Sequence, residues 1–304
     1  MIQAEGIPTI DEAIGTEPGV YPSLSFEGYA RLSAINWHSL KPYRTSPKHA
    51  RNEMLHPKDA SDAQVAGEAF HCAILEPERF AAQYITRPKF NGHPNSNDYK
   101  NAKKEWEFNN SDKVHLSIEE WAELKAMQRA VKDHPIASAI LAGKGRNELS
   151  IVWNDEETKA TMKGRIDRLC RVKIGLIDPL ATKPDADAIV MVDFKTTRKV
   201  DPLGFNRDRA DYGYHAQLAL YADGVAAASP GVSVVPLIVA VENKAPFDVV
   251  VYRPDDKAIE TGRALYRRLL RTHLGCIESK SWPGIAEKYV MPLSVFKWEE
   301  ESSE

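Results

Sequence analysis

Residues 189–197 read IVMVDFKTT, and this stretch decides the fold. The four apolar residues 189–192 predict a buried strand that ends by presenting Asp193, Phe194 and Lys195. Because side chains alternate along a strand, Asp193 and Lys195 lie on one side and Phe194 on the other. Such a pair has two explanations: a metal-binding carboxylate beside a lysine that positions or helps to deprotonate an attacking water, or a partly exposed ion pair on an edge strand.

The chain around this strand predicts a sheet core. Two β-rich runs precede it (149–153 and 161–172), a helix follows from about Asp211 through 228, then strands near 235–242 and 247–252, then a long helix from Asp255 to about His273. Helices come first in the chain, and the order thereafter is β-β-β-α-β-β-α. We therefore expect an α/β or α+β domain, with a central mixed sheet flanked by helices and a helical N-terminal part.

The N-terminal half carries clear helix signals. Ser61 with Gln64, and Ser117 with Glu120, form capping-box patterns ahead of helices that end before Pro77 and Pro135. Segment 88–112 reads as a loop leading into a short basic helix. The predicted organisation is a weakly ordered arm over 1–30, one domain over 31–295 and a polar tail over 296–304. Within that domain, 31–145 is the helical part and 146–275 the sheet core.

Composition limits the class of protein. With 304 residues, 43% of them hydrophobic, the chain can bury a substantial core. No run reaches the roughly 18 apolar residues of a membrane span and the N-terminus lacks a signal-peptide pattern, so we expect a cytoplasmic protein. Cys72, Cys170 and Cys276 are too scattered for a disulfide framework or a metal knuckle. With a net charge of −3, binding to nucleic acid would need local basic clusters.

A second carboxylate precedes the first by about 25 positions. Asp167 lies in an apolar-flanked run, and this spacing allows neighbouring strands to bring Asp167 and Asp193 together. Two aspartates, the Phe194 carbonyl and phosphate oxygens would make an octahedral shell of the kind that Mg²⁺ prefers. Alternatively, Asp167 is a turn acid or pairs with Arg165 or Arg168.

Two helices offer further polar groups. Gln64, Glu68 and His71 share one face of the first, although a lone helix histidine is more often structural. Gln217 and Tyr221 are one turn apart on the later helix, with Tyr214 beside Gln217. That polar stripe either faces the site or is simply solvated.

Four features resemble, in chain order, the RecB-type branch of the PD-(D/E)XK nucleases: a helix histidine, a first aspartate, a D-x-K pair and a Q-x-x-x-Y helix. They are His71, Asp167, Asp193 with Lys195, and Gln217 with Tyr221. The resemblance to the C-terminal nuclease domain of RecE-type exonucleases covers residues 30–290 and is carried by phrases such as INWHSLK, SPKHA, GEAFHCAILEPERF, MVDFKTT and YHAQLALYADG. Relatives often have a proline before the first aspartate, where this chain has Ile166.

The resemblance implies a restriction-endonuclease-like core and a Mg²⁺-dependent exonuclease, with Mn²⁺ as a possible substitute. Such enzymes digest double-stranded DNA from its ends, 5′ to 3′ and processively. They leave 3′ tails for a single-strand annealing partner in phage-type recombination, and they form toroidal homotetramers.

By the same resemblance, Asp167, Asp193 and His71 would bind the metal and Lys195 would serve the nucleophilic water. Gln217 and Tyr221 would support the site or the DNA, and Glu148 is a less certain accessory acid.

Binding of DNA needs cations, and a single basic cluster is more often just a solvated face. Candidates fall in three groups: Lys163, Arg165 and Arg168; Arg198, Lys199, Arg207 and Arg209; and Lys100, Lys103 and Lys104.

Two rival functions remain. One is a related nuclease of other polarity, acting on single strands or cutting inside a duplex. The other is a non-catalytic DNA-binding or assembly module, which predicts the loss of an acid or lysine that this chain retains. The iron–sulfur relatives need four cysteines, and this chain has three.

Overall fold

A computed structural model describes residues 17–57, 59, 61–287 and 290–293. The chain divides into two compact units. The larger is formed within Met1–Trp37 and Asp59–Tyr266, and the smaller within His38–Lys58 and Arg267–Glu304. The predicted tail over 296–304 and most of the predicted arm lie outside the described residues, and the extent of the predicted domain stays a prediction.

The larger unit is built on a mixed sheet. The strands of the described residues are β1 (Gly19–Tyr21), β2 (Tyr84–Thr86), β3 (Val114–Leu116), β4 (Gly145–Asn154), β5 (Thr161–Lys173), β6 (Asp187–Thr197), β7 (Val235–Glu242) and β8 (Val249–Tyr252). Six of them form one sheet in the order β1-β4-β5-β6-β7-β8, and β2 pairs with β3 separately. Only β6 and β7 run parallel within the six-stranded sheet. The predicted mixed α/β architecture is confirmed.

Helices form most of the other elements of the chain. The α-helices of the described residues are α1 (Phe26–Arg31), α2 (Trp37–Leu40), α3 (Pro47–Leu55), α4 (Asp62–Leu75), α5 (Pro77–Gln83), α6 (Asn97–Asn109), α7 (Ile118–Asp133), α8 (Pro135–Ala142), α9 (Ile174–Ile177), α10 (Pro202–Tyr212), α11 (Tyr214–Ala228) and α12 (Asp256–Ser279). A 3-10 helix spans Lys41–Arg44. Both predicted capping boxes are confirmed, with Ser61 and Ser117 as the N-caps of α4 and α7.

Alternation along β6 builds the core. Val190, Val192 and Phe194 belong to one hydrophobic cluster together with Phe70 of α4 and Val131 of α7. The other side of β6 is therefore left to Met191, Asp193 and Lys195, as the sequence pattern predicts.

The connection from β6 to β7 differs from the prediction. A single helix from about Asp211 was expected, but α10 and α11 are separate helices that meet at Gly213. Gly213 has φ 72°, a left-handed conformation that ends α10 and that glycine adopts without strain. This break places the first turn of α11 near the end of β6.

Helix α11 packs closely on the sheet. A Cβ atom at Gly224 would lie 2.7 Å from the Trp153 ring, and one at Gly164 would lie 2.9 Å from the Tyr221 ring. These two glycines therefore permit the helix to approach β4 and β5 closely.

Part of the predicted arm is ordered against the sheet. Strand β1 pairs with β4, and Tyr29 of α1 is buried. The buried ammonium of Lys163 donates hydrogen bonds to the Tyr29 and Leu32 carbonyls, at 2.9 Å each. Residues 19–32 are thus ordered by the burial of apolar groups and by hydrogen bonds to these carbonyls. The sequence did not predict this order, because the segment has no clear periodicity.

The smaller unit has its own packing. Tyr43 lies edge-on to His273, with its hydroxyl 3.0 Å from Nδ1, and the Arg51 guanidinium lies 4.3 Å from the centre of the Trp282 ring. Among the described residues, no helix is both long and apolar enough to cross a membrane.

Candidate active site

Asp167 and Asp193 meet at the point where the ladder between β5 and β6 ends. The last paired residues are Arg168 and Val192, the sequence neighbours of Asp167 and Asp193. Beyond that pair, the backbone N–H of Phe194 donates to Oδ2 of Asp167 at 2.7 Å. The predicted approach of the two carboxylates is therefore present, and the Phe194 backbone lies beside them.

Glu148 extends this row onto β4. Leu149 pairs with Ile166, so Glu148 lies across from Asp167 on the neighbouring strand. Glu148 has φ 51°, a left-handed conformation that non-glycine residues rarely adopt. Its carboxylate accepts a hydrogen bond from Nε of Arg165 at 2.7 Å. Backbone strain of this kind is found at functional sites, where the surrounding structure imposes it.

Asp193 is held by two neighbours. Its Oδ2 atom lies 2.7 Å from Nζ of Lys195, and its Oδ1 atom accepts a hydrogen bond from Gln217 at 3.1 Å. The carboxylate is buried, and among the described residues the Lys195 ammonium is the sole polar contact of Oδ2. The D-x-K pair and the polar stripe of α11 thus face the same site. The pair is not an exposed ion pair on an edge strand, and the stripe is not simply solvated.

Two tyrosines surround this pair. The Lys195 ammonium lies 5.1 Å from the centre of the Tyr214 ring, and the Gln217 amide lies 3.5 Å from the Tyr221 hydroxyl. Tyr221 is buried, and burial raises its pKa well above the ordinary value. The Tyr221 side chain therefore stays a neutral, packed support for Gln217.

His71 enters from α4. Its Nδ1 atom lies 3.3 Å from Oδ2 of Asp167. Burial lowers the pKa of His71 and the Lys195 charge lowers it further, against smaller opposing effects that include Asp193 and Glu148. A neutral imidazole is the form that binds a metal ion.

His71, Glu148 and Asp167 could together hold a metal ion. Their ligand atoms all lie within 4.8 Å of one another. Burial, followed by the charge of Asp193, raises the pKa of Asp167 to about 7. Burial and Asp167 likewise raise the pKa of Glu148. The raised pKa values show that the negative charges of Asp167 and Glu148 are poorly balanced by neighbouring positive charges. A divalent cation bound between them would supply the missing positive charge.

The predicted metal ligands are only partly grouped in this way. Asp193 does not share the cluster with His71 and Asp167, because its oxygens contact Lys195 and Gln217. Glu148, predicted only as a less certain accessory, belongs to the cluster. The sequence signal for Glu148 was its position directly before the apolar run 149–153. Only the pairing of β4 with β5 shows that Glu148 lies opposite Asp167.

The cluster opens into a cavity of about 280 Å³. His71, Glu148 and Asp167 line one part of it, and Phe26 and Arg79 line another. A ligand would therefore reach the acids from the side where α1, α4 and α5 lie.

Two of the three cations in one predicted DNA-binding group are structural. Lys163 donates to carbonyls at the end of α1. Arg168 is buried and donates to the Ile140 and Leu141 carbonyls at the end of α8. Arg165 donates to Glu148 and to Ser150. Lys163 and Arg168 are directed into the protein, whereas Arg165 lines the cavity beside Glu148 and Asp167. Arg165 forms its ion pair with Glu148, and the carboxylate of Asp167 instead lies beside His71.

The other two groups are more accessible. Arg198, Lys199 and Arg207 are exposed and follow Lys195 in the chain, and Lys100 and Lys104 are exposed on α6. Lys103 instead lies 3.7 Å from Glu107.

This site defines a PD-(D/E)XK-like domain. It has a row of acids on neighbouring strands of a mixed sheet, where the ladder between β5 and β6 ends, and a lysine two positions after one of the acids. The chain belongs to the family of PDDEXK-like domains of unknown function (DUF3799), which its sequence matches over residues 37–291. Membership of the PD-(D/E)XK superfamily, predicted from the residues, is thereby confirmed.

A solved structure supports the same fold. The crystal structure of a protein from Eubacterium rectale, named "Putative exonuclease", superposes with a TM-score of 0.54 over 91% of this chain and 97% of that one, at 12% sequence identity. At this identity the likeness establishes the fold alone. No curated protein matches the sequence.

Proposed function

We propose that this protein is a divalent-metal-dependent DNA nuclease. The observation that carries the proposal is the row of Glu148, Asp167 and Asp193 on three neighbouring strands, with His71 and Lys195 beside it. A structural ion pair does not account for three neighbouring carboxylates, two of which line a cavity, and a non-catalytic module would not need Lys195 beside them.

His71, Glu148 and Asp167 would hold the metal, and the Phe194 backbone lies close enough to contribute. Mg²⁺ is the proposed ion because most of these ligands are carboxylate oxygens, and the single imidazole is also compatible with Mn²⁺. Such an ion would supply positive charge where the phosphodiester develops negative charge.

Lys195 acts as a cation rather than as a base. Burial lowers its pKa, but the charges of Asp193 and Asp167 outweigh burial and leave the pKa raised. A protonated ammonium can orient a water molecule or a phosphate oxygen, but it cannot accept a proton. Asp193 and Gln217 would fix its position, because both contact the same carboxylate group.

The finer proposal is an exonuclease on double-stranded DNA ends, processive and 5′ to 3′, that produces 3′ tails for a strand-annealing partner. This part rests on the RecE-type resemblance of the sequence. The fold shared with the Eubacterium rectale protein is compatible with it.

The test uses linear duplex DNA labelled at the 5′ or the 3′ end, a closed circular duplex, and Mg²⁺ or EDTA. We expect release of 5′-terminal nucleotides from linear DNA only with Mg²⁺, and at least a hundredfold loss of rate in Lys195→Ala, as for removal of an electrostatic group at a reacting centre. Lys132→Ala, an exposed lysine on α7 outside the predicted DNA-binding groups, serves as the control and should remain active.

Each other outcome has a definite meaning. Release from the 3′ end would reverse the proposed polarity, and cutting of the circle would make the protein an endonuclease on the same site. A folded protein that binds Mg²⁺ or Mn²⁺ but leaves every DNA intact would overturn the nuclease proposal.

A further inference from the structure

Arg165 is a cation beside the candidate metal ligands. It precedes Asp167 by two positions on β5, so both side chains lie on the same side of the strand. The Arg165 side chain is 10% exposed, and it lines the cavity together with Glu148 and Asp167. A positive charge at this place repels a divalent cation, so its role must offset that repulsion.

The backbone of Glu148 is fixed by its neighbours on β4. Asn147 is paired with Arg168 before it, and Leu149 is paired with Ile166 after it. Between these pairs, Glu148 takes the left-handed conformation with φ 51°. A glutamate side chain has three rotatable bonds, so a fixed backbone does not by itself fix the position of the carboxylate.

Arg165 fixes the carboxylate end of this side chain. Its Nε atom donates to Oε2 of Glu148 at 2.7 Å, and its Nη1 atom donates to the Leu24 carbonyl and the Ser150 hydroxyl at 2.9 Å each. Ser150 is fully buried in β4, and Leu24 packs against the hydrophobic cluster that includes Tyr29. The guanidinium therefore has two anchors in the protein besides the carboxylate that it holds.

We propose that Arg165 is a positioning residue that holds the Glu148 carboxylate where it can bind the metal ion. The inference rests on the proposed function and adds a residue that acts through Glu148 without contacting the ion. A carboxylate has two oxygens with about four lone-pair sites, so it can accept a hydrogen bond from arginine and bind a metal together. Replacing a group that orients a metal ligand typically costs about 10–100-fold in metal affinity.

A DNA phosphate is the less suitable partner for Arg165. Its Nε and Nη1 atoms already donate to protein oxygens, and only a tenth of the side chain is exposed. Charge and position also predict opposite results when the arginine is removed. Loss of a positive charge alone would strengthen the binding of a cation, whereas loss of the orienting contact would weaken it.

The test measures binding of Mn²⁺ to the full chain without DNA, from the electron paramagnetic resonance signal of free Mn²⁺. It compares the unmodified protein with Arg165→Gln, Glu148→Gln and the double variant. Arg171→Gln is the control, because Arg171 is an exposed arginine on the same strand. Folding of each variant is checked by circular dichroism.

We expect Arg165→Gln to bind Mn²⁺ at least about tenfold more weakly, and Arg171→Gln to bind it like the unmodified protein. The double variant should bind no more weakly than Glu148→Gln, because Arg165 acts through that carboxylate. Ser150→Ala removes one anchor of the guanidinium and should weaken Mn²⁺ binding about fivefold. If Arg165→Gln does not fold, Ser150→Ala decides the question in its place.

An unchanged or tighter Mn²⁺ affinity in folded Arg165→Gln would overturn the inference and leave the nuclease proposal intact. A further loss in the double variant beyond Glu148→Gln would also overturn it, since Arg165 would then act by another route. Weaker binding to duplex DNA in EDTA, with unchanged Mn²⁺ affinity, would assign Arg165 to the DNA instead. If the unmodified protein binds no Mn²⁺ and cuts no DNA, the proposed function itself fails.

Discussion

Asp167 should make the metal-free protein sensitive to pH. Burial, followed by the Asp193 charge, raises its pKa from 3.8 to about 7, so the folded protein keeps a proton that the unfolded chain has already lost. The stability contributed by that proton is full below 3.8 and is lost as pH rises to about 7. The effect is at most about 4 kcal/mol, since one pKa unit corresponds to about 1.4 kcal/mol.

Replacing Asp167 by Asn should remove this dependence. In EDTA, we expect Asp167→Asn to melt at a higher temperature than the unmodified protein at pH 8, and to show little difference at pH 4. Thermal unfolding followed by circular dichroism measures this, with Asp185→Asn, an exposed acid, as the control. Equal pH dependence in Asp167→Asn and the unmodified protein would contradict the prediction.

Tyr214 should position Lys195. The ammonium lies between the Asp193 carboxylate, at 2.7 Å, and the Tyr214 ring, at 5.1 Å from its centre. The ring in turn stacks on Tyr212, with centres 5.6 Å apart. An aromatic face stabilises a cation by about 1–2 kcal/mol when the pair is partly desolvated.

A pair of variants separates the ring from the hydroxyl. Tyr214→Leu should reduce kcat on DNA about tenfold with little change in KM, and Tyr214→Phe should stay near the unmodified rate. Acetylation of Lys195 by acetic anhydride, followed by mass spectrometry, gives a measure independent of activity and should be faster only in Tyr214→Leu. If both variants behave alike, the ring does not hold the lysine.

Arg168 shows how a cation can stabilise an element instead of binding DNA. Its guanidinium donates to the Ile140, Leu141 and Gly143 carbonyls, which lie where α8 ends. We expect Arg168→Gln to lower the free energy of unfolding by about 2–4 kcal/mol, because buried acceptors lose charged donors.

Urea unfolding measures this difference. Arg171→Gln provides the matched control, since Arg171 is an exposed arginine on the same strand and should change stability by no more than about 0.5 kcal/mol. Similar losses in the two variants would show that the contacts at the end of α8 contribute little.

Short sequence motifs predicted correctly those helix ends that depend on interactions within one helical turn. Ser61 and Ser117 each satisfy backbone donors within their own helix turn, so the capping boxes are readable from four residues. The break at Gly213 was not predicted, because the sequence on either side remains compatible with a helix. Only the positive φ of Gly213 distinguishes two helices from one.

Assembly is a property of the whole molecule that the RecE-type resemblance predicts. We expect a toroidal homotetramer, so light scattering should give a mass of about four times 34.0 kDa. Encircling the substrate would keep the enzyme on DNA through successive cleavages. A monomeric mass, measured together with processive digestion, would require another source of processivity.

The sequence by itself determined the fold class, the superfamily and most of the candidate site residues. Alternation placed Asp193 and Lys195 on one side of β6, because the period of a strand follows from covalent geometry. The RecE-type resemblance added His71, Asp167 and Gln217 as further candidate site residues.

Tertiary structure alone decided what each charge faces. Tertiary contacts bring Glu148 together with His71 and Asp167. The oxygens of Asp193 contact Lys195 and Gln217 instead. Lys163 and Arg168 donate hydrogen bonds to carbonyls at the ends of helices. The physical reason is that the role of a charge depends on burial and on partners brought close by strand register, and these partners are distant in the sequence.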